Sequence, residues 1–498
     1  MKIKILLALI LIAQGIMAQT YYPDVLLSSR DFIAGNARSA GVAGAFGSVG
    51  ADLTNASTNP AGLALYRSSD VSFSPALNVA NNNSSFLNNS TKGNTAKFYL
   101  GQAGFSFTHL MKSAPVNDPN VVSFNYHSSK VRSFTIAVNY QRQSMYSRKV
   151  DYSGINNNYS SISAYTDYLN ATRAPLTADN YPYDLILAYN TYLIDYDTTS
   201  GQYFSNVHAP LKQIGHIETT GGRDQVDIAS GINLNDKFYI GFGFGIPIVK
   251  YNRYSWYGED NISDTASSFN TYTLNDELKV SGYGFNAKVG IIYRPASWVR
   301  LGLAYHMPTF YSFTENYLEY LDATFDTIIY SDGVQYEPLK YNMRTPMKGI
   351  ASASFYIKQY AFISVDYEFM NYASSHLNFG SKYPTFNDSE NSFLKSNLGW
   401  GHVVRVGVEG AISALRLRAG YVFSSTPYKK SFDTQQYTEM RNYATAGIGY
   451  RGKHFYTDFA YVYGITKDLS TSIATDYVKN KFVNHQVMLT FGWRFGKS

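Results

Sequence analysis

Residues 226–248 read VDIASGINLNDKFYIGFGFGIPI, and this stretch decides the fold. Val226, Ile228, Ile232 and Leu234 keep one phase, Asn235-Asp236 form a turn, and Phe238, Ile240, Phe242, Phe244, Ile246 and Ile248 take every second position after it. Successive side chains of a strand point to opposite faces, so a period of two describes strands with one apolar face. The intervening Asp227, Asn233, Gly241, Gly243 and Gly245 are small or polar. The stretch is a hairpin with one greasy side. A second hairpin runs through Phe285, Ala287, Val289, Ile291 and Tyr293, turns at Pro295-Ala296-Ser297, and returns through Val299, Leu301, Leu303, Tyr305 and Met307. Others turn near Lys358-Gln359, Ile412-Ser413 and Gly452-Lys453.

Between hairpins the connections are long and polar, at 257–272, 316–340, 375–399, 425–440 and 466–482, with 148–222 the longest. Loops of this length are uncommon in compact soluble domains. Short turns alternating with long loops fit an all-β antiparallel transmembrane β-barrel, for which the pattern predicts 14 strands between residue 66 and residue 496. The outward sets carry no charge, as lipid exposure demands, since a charge at the bilayer midplane costs about 2–4 kcal/mol. The inward positions do carry charge: Lys288, Arg294, Arg300, Arg405, Arg416, Arg418 and Arg494 alternate with the apolar sets, as do Asp227, Asp366, Glu368, Glu409 and Asp458.

Composition agrees. Of 498 residues, 16% are charged and 16% aromatic, with 45 Tyr. An average soluble domain carries roughly 25% charge. A mean hydropathy of -0.22 excludes a polytopic helical membrane protein. The chain has no cysteine, which excludes a disulfide scaffold, a zinc finger and a thiol nucleophile. Its net charge of +6, or +4 without Lys2 and Lys4, gives no case for nucleic acid.

Residues 1–18 read as a signal peptide, with Lys2 and Lys4, an apolar run from Ile5 to Ala13, and Ala18 before Gln19. That run is too short to span a bilayer as a helix, which needs about 20 residues. Export without a helical anchor, joined to the strand pattern, predicts the Gram-negative outer membrane, with membrane lipid around the barrel. Residues 66–498 would form the barrel. Residues 19–65 do not alternate; they are rich in Gly and small residues and are read as a plug inside it.

Within that plug, Ala37-Arg38-Ser39-Ala40-Gly41-Val42-Ala43-Gly44-Ala45-Phe46 is followed by Asn59-Pro60-Ala61-Gly62-Leu63. These segments resemble the N-terminal hatch of FadL/TodX-type outer-membrane transporters, with its Asn-Pro-Ala motif. The resemblance continues at Gly290 to Pro295, Val299 to Tyr305, Thr345-Pro346, Val365 to Glu368 and Leu415 to Tyr421, but not through 148–222. It implies uptake of a hydrophobic small molecule, such as a long-chain fatty acid or hydrocarbon. The implied route runs from a greasy site among the loops into the lumen and out sideways beside a kinked third strand. The third strand here, with Phe134, Ile136, Val138 and Tyr140 on one face, contains no Gly or Pro through residue 152 that would kink it. A change of apolar phase at Ser281-Gly282, from even to odd positions, reads as a bulge.

The candidate site residues each have two readings. Asn59, Pro60 and Ala61, with Gly44 and Phe46, either gate the hatch or anchor it as a structural turn. Arg300, Arg405, Arg416 and Arg418 either hold an anionic head group or pair with carboxylates to fix the hatch. Tyr254 and Trp256 are possible ligand contacts at the loop mouth or, with Tyr21, Trp298, Trp400 and Trp493, parts of interfacial girdles. The nine His have no metal-type spacing, no G-x-S-x-G occurs, and no cofactor is expected, so an enzyme is not the reading. The aromatic last strand, Val487 to Phe495, resembles the signal read by barrel-assembly machinery, and a monomer is expected. A second function remains open: a barrel of this kind serving as a component of a protein secretion system or a surface docking site, through its Asn/Tyr-rich loops.

Overall fold

A computed structural model describes residues 21–33, 35–111, 131–178, 180–262, 267–430, 440–471 and 477–496. The signal-peptide reading for 1–18 lies outside them. The described strands close into a 14-stranded antiparallel barrel. Its wall is β1 (Ser69–Phe86), β2 (Asn89–Leu110), β3 (Val131–Met145, continued by Arg148–Asn156), β4 (Leu211–Leu234), β5 (Phe238–Asn261) and β6 (Phe269–Ala296). Next come β7 (Val299–His306 and Phe310–Phe325), β8 (Ile328–Gln335, Leu339–Arg344 and Lys348–Ile357), β9 (Ala361–Asn371 and His376–Asn378) and β10 (Trp400–Ile412). The last four are β11 (Leu415–Ser424), β12 (Arg441–Arg451), β13 (Phe455–Thr471) and β14 (Tyr477–Phe495). Closure is antiparallel between β1 and β14, from Ser69–Phe495 to Ser85–Lys479.

Tight turns at 235–237, 297–298, 413–414 and 452–454 mark one end, where both described chain ends of the wall also lie. The other end carries the loops. Wall strands reach further into the longest loop than alternation alone predicts: β3 runs to Asn156 and β4 starts at Leu211, leaving 157–210 between them.

In the half near the tight turns, Phe238, Ile240, Phe242, Phe244, Ile246 and Ile248 all face outward and are exposed. Ten residues at about 3.3 Å rise, tilted about 40°, give an apolar band about 25 Å tall. Beyond it the faces exchange character. Val249 is buried inside while Lys250 is exposed, and on β6 Leu278 and Val280 point inward. The pairing of β6 with β5 and β7 runs through Ser281-Gly282 without a shift, so the expected bulge does not form. The phase of apolar residues changes there because the strand leaves the greasy band: outside becomes polar and inside becomes packed.

Helix α1 (Tyr22–Ser29) supplies part of that inner packing. Tyr21, Val25 and Leu26 cluster with Val249, Leu278, Val280, Phe313, Tyr341 and Leu394. Tyr21 is therefore a lumenal residue and not part of a girdle, whereas Trp298, Trp400 and Trp493 are exposed on the outer wall. Helices α3 (Ser161–Thr172) and α4 (Tyr183–Asn190) form a cap. Ile162, Leu169, Leu185 and Leu187 pack on Phe86, Tyr152, Phe269, Tyr272 and Phe482 at the strand ends. Tyr181 and Leu193, in a stretch apolar enough to suggest an open ligand groove, are consumed in this core.

Candidate functional site: hatch, lumen and wall

Helix α2 (Ala37–Gly41) and two short 3-10 helices, Leu53–Ala56 and Pro60–Leu65, fill the lumen at the level of the apolar band. The wall makes room for them with glycines set side by side. Gly231 pairs with Gly241 and Gly241 with Gly290, a row across β4, β5 and β6. A methyl group on Gly241 would stand 2.1 Å from Ala61 N, one on Gly231 2.5 Å from Ala64 N, and one on Gly290 1.9 Å from Asn59 Oδ1. Across the lumen, Gly407 and Gly420 are register partners, and a methyl on either would meet Val42 or Ala43 within 2.8 Å. The hatch backbone lies directly on the wall backbone at both places.

Asn59 organises its segment. Its Nδ2 donates to Gly47 O at 2.6 Å, and its Oδ1 accepts from Ala61 N at 3.1 Å, capping the helix that Pro60 begins. Pro at the first helical position loses no bond it would otherwise make. This supports the anchoring reading. Asn59→Ala is expected to lower hatch stability by about 1–2 kcal/mol, measured by hydrogen exchange across residues 41–66. Gly44 adopts φ +73, which a residue with a side chain disfavours, and Phe46 is fully buried against Phe362.

The four arginines separate. Arg418 is fully buried, donating from Nε to Glu409 Oε2 at 2.6 Å and from Nη1 to Asp458 Oδ1 at 2.7 Å. Arg405 pairs with Glu368 at 2.9 Å, and Glu368 also faces Lys348 at 3.4 Å. Lys348 and Arg223 both hold Asp31 of the hatch. Arg300 donates to Val49 O of the hatch at 2.5 Å and to Tyr356 OH at 2.9 Å. Arg416 sits at a tight turn, bonded to Ser413 O and Leu415 O, and touches no hatch residue in these bonds. Tyr254 and Trp256 alternate with the inward Arg253 and Ser255, which bond Asp276. They stand on the outer wall, with Trp256 stacked beside His216. The inner positions facing the cap are Tyr257 and Tyr272.

Between the hatch and the wall lies a cavity of about 80 Å³, lined by Asp31 of the hatch and by Gln141, Gln143, Lys348, Glu368, Arg405 and their neighbours. An apolar cavity of about 150 Å³ takes benzene, so this one is shut to solutes of that size. Beside it the wall is incomplete. The β2–β3 ladder runs from Leu110–Ser133 to Gln102–Gln141 and stops. Further toward the loop end β3 pairs only with β4, with a register shift between Arg142 and Ser144 and a break at 146–147. β2 and β3 meet again through side chains, where Asn89 Nδ2 donates to Ser153 O at 3.0 Å and Thr91 Oγ1 to Asp151 O, while Asn82 Nδ2 of β1 donates to Lys149 O at 3.2 Å. Gln143 stands at this window, accepts from Phe32 N of the hatch at 3.0 Å, and lines the cavity. The third strand is thus broken at 146–147 with no Gly or Pro between residues 131 and 152. Neighbouring glycines allow it: Gly221 on β4 holds φ +109, and Tyr146 N donates to its carbonyl at 3.1 Å.

No protein-family model and no curated protein sequence matches the chain. Solved structures do. A Pseudomonas aeruginosa FadL homologue superposes with a TM-score of 0.52 at 12% identity, covering 94% of this chain and 100% of that one. The P. putida toluene transporter TodX gives 0.51 at 11%, covering 94% and 100%. The CymD monoaromatic hydrocarbon channel gives 0.50 at 11%, covering 93% and 98%. At these identities the likeness is one of fold, and it extends over nearly the whole length of each chain: the protein shares the plugged-barrel fold of these structures.

Proposed function

We propose that the protein conducts hydrophobic molecules passively across the Gram-negative outer membrane, with long-chain fatty acids or hydrocarbons as the solute class, and releases them sideways between β2 and β3. The tight-turn end then faces the periplasm and the capped end faces outward. The observation that carries this reading is the window at Gln143, where the wall has no backbone ladder and a lumenal cavity lies directly behind it. An axial exit would have to drive the hatch out of its glycine seats against Arg300, Asn59 and Asp31. A sideways exit displaces side chains only, and delivers an apolar solute straight into hydrocarbon, where it is most stable.

The window is guarded by one ion pair: Arg142 binds Asp224, with Nη2 to Oδ2 at 3.1 Å, while its guanidinium lies 5.8 Å from the centre of the Tyr99 ring. Because the chain has no cysteine, Gln143→Cys provides a unique handle. Quantitative reaction of that thiol with a bulky maleimide is expected to abolish most uptake of a labelled fatty acid or aromatic hydrocarbon into proteoliposomes. The same reaction at Thr199→Cys, on the exposed loop, should leave uptake intact. Full uptake by the maleimide-modified Gln143→Cys protein would reject the lateral route, and absence of any hydrophobic solute uptake by the unmodified protein would reject transport.

A further inference from the structure

Below the hatch, at the tight-turn end, a second cavity of about 350 Å³ opens to the outside past the exposed turn Lys358–Tyr360. At about 30 Å³ per water it has room for about a dozen. Its lining includes Arg300, Lys358, Arg416 and Arg494, and the hatch contributes Val49 to Ala51. Elsewhere in the lumen the cations meet carboxylates: Arg223 and Lys348 share Asp31, Arg253 holds Asp276, Lys288 holds Asp227 and Arg405 holds Glu368. Arg300, Lys358 and Arg416 of the cavity form no ion pair among the described residues, and Arg494 has only Asp70, its cross-strand neighbour on β1, which is already bonded by Tyr66 and Tyr456. Arg300 spends one nitrogen on Val49 O and Tyr356 OH, and its Nε is buried without a partner. Arg416 bonds only backbone carbonyls, and Arg494 lies over the Tyr456 ring at 5.0 Å. The one acid lining the cavity, Glu409, is already taken by Arg418 at 2.6 Å and faces Arg38 at 3.9 Å.

We infer that this vestibule binds a phosphate oxyanion, either free phosphate or the phosphate of a lipid headgroup, from the periplasmic side. A carboxylate would neutralise one of four cations. A phosphate group presents oxygens in several directions, and guanidinium forks grip them bidentately. Bound there, it joins Arg300, which holds the hatch at Val49, to Arg416 on β11 and Arg494 on β14, and so fastens the hatch to the wall from below.

The test uses the full protein in detergent at low salt, with inorganic phosphate, dihexanoyl phosphatidic acid and a hexaglutamate peptide as separate probes, followed by calorimetry and phosphorus NMR line width. One phosphate probe per barrel should bind, weakening as salt rises. The triple variant Lys358→Gln/Arg416→Gln/Arg494→Gln should lose roughly tenfold or more in affinity while keeping the heat-modifiable gel mobility of a folded barrel. Lys358→Gln alone, at an exposed turn, serves as a milder variant should the triple fail to fold, and should weaken binding in the same direction. Equal binding of both phosphate probes assigns free phosphate as sufficient; binding of the lipid probe alone assigns a headgroup. Binding of neither, binding of hexaglutamate alone, or unchanged affinity in the variants overturns the inference. Solute uptake is not read in this experiment, so its outcome is independent of the transport reading.

Discussion

Gly241→Val is expected to unseat the hatch while leaving the barrel standing. Its first added carbon would lie 2.1 Å from Ala61 N and from Pro60 C, both backbone atoms that no rotamer change can move aside. Overpacking a well-filled interior usually costs about 1–3 kcal/mol, and a clash of backbone with backbone belongs at the upper end. The wall ladder on both sides of Gly241 is made by main-chain groups and survives the substitution. The expected readout in planar bilayers is a stepwise ion conductance that the unsubstituted protein lacks, accompanied by protease cleavage within residues 31–66. Gly410→Ala is the control, because a methyl there meets nothing within 4 Å. A silent, protease-resistant Gly241→Val barrel would show that the glycine row does not seat the hatch.

Arg418→Met is the second large effect. The guanidinium is wholly buried between Glu409 and Asp458, and its stem carries the hatch, since a methyl on Gly41 would meet Arg418 Cδ at 3.2 Å. Met keeps much of the stem and removes the charge. Two carboxylates then keep only Arg38, 3.9 Å from Glu409, and Arg451, 2.9 Å from Asp458. Stranding one side of a buried ion pair costs about 3–5 kcal/mol, and these residual partners place the loss near the lower figure. Chemical denaturation of the folded barrel should show it. Adding Glu409→Gln to Arg418→Met should recover part of the loss, because Arg38 keeps Asp52 and Asp458 keeps Arg451, so the double variant leaves no charge without a partner. If the double variant is as weak as the single one, the guanidinium acts through packing alone.

How much of this was legible beforehand depended on which interaction set the pattern. Where a strand keeps one exposed apolar face, as in 238–248, period-two alternation reports the face directly, and strand order and closure follow. The same rule misleads where the surroundings change. At Ser281-Gly282 the chain passes from the greasy band to water, so Leu278 and Val280 point inward with no bulge between them. The Asn-Pro-Ala segment was visible as a motif, but its seat was not: Gly231, Gly241 and Gly290 become one notch only when three strands are placed in register. The break in β3 was invisible for the same reason. Its own residues 134–152 contain no breaker, and the left-handed glycine that accommodates it, Gly221, belongs to β4. Arg416 and Arg418 look equivalent at two residues apart on one face, yet one lies at a turn in the vestibule and the other at the centre of a buried ion network.

The exchange of faces along β5 also fixes how far the mouth stands beyond the apolar band. From Val249 to Asn261 the strand climbs a further 12 residues beyond the apolar band. At about 3.3 Å per residue and about 40° of tilt, that is a collar roughly 30 Å high. In the proposed orientation such a collar clears the charged sugar layer that coats a Gram-negative surface and that bars oily molecules from the bilayer beneath. On the proposed transport reading the barrel is less a hole in a membrane than a snorkel through a hydrophilic coat: its solute enters from the medium above and leaves below the barrier, already at the depth where oil dissolves.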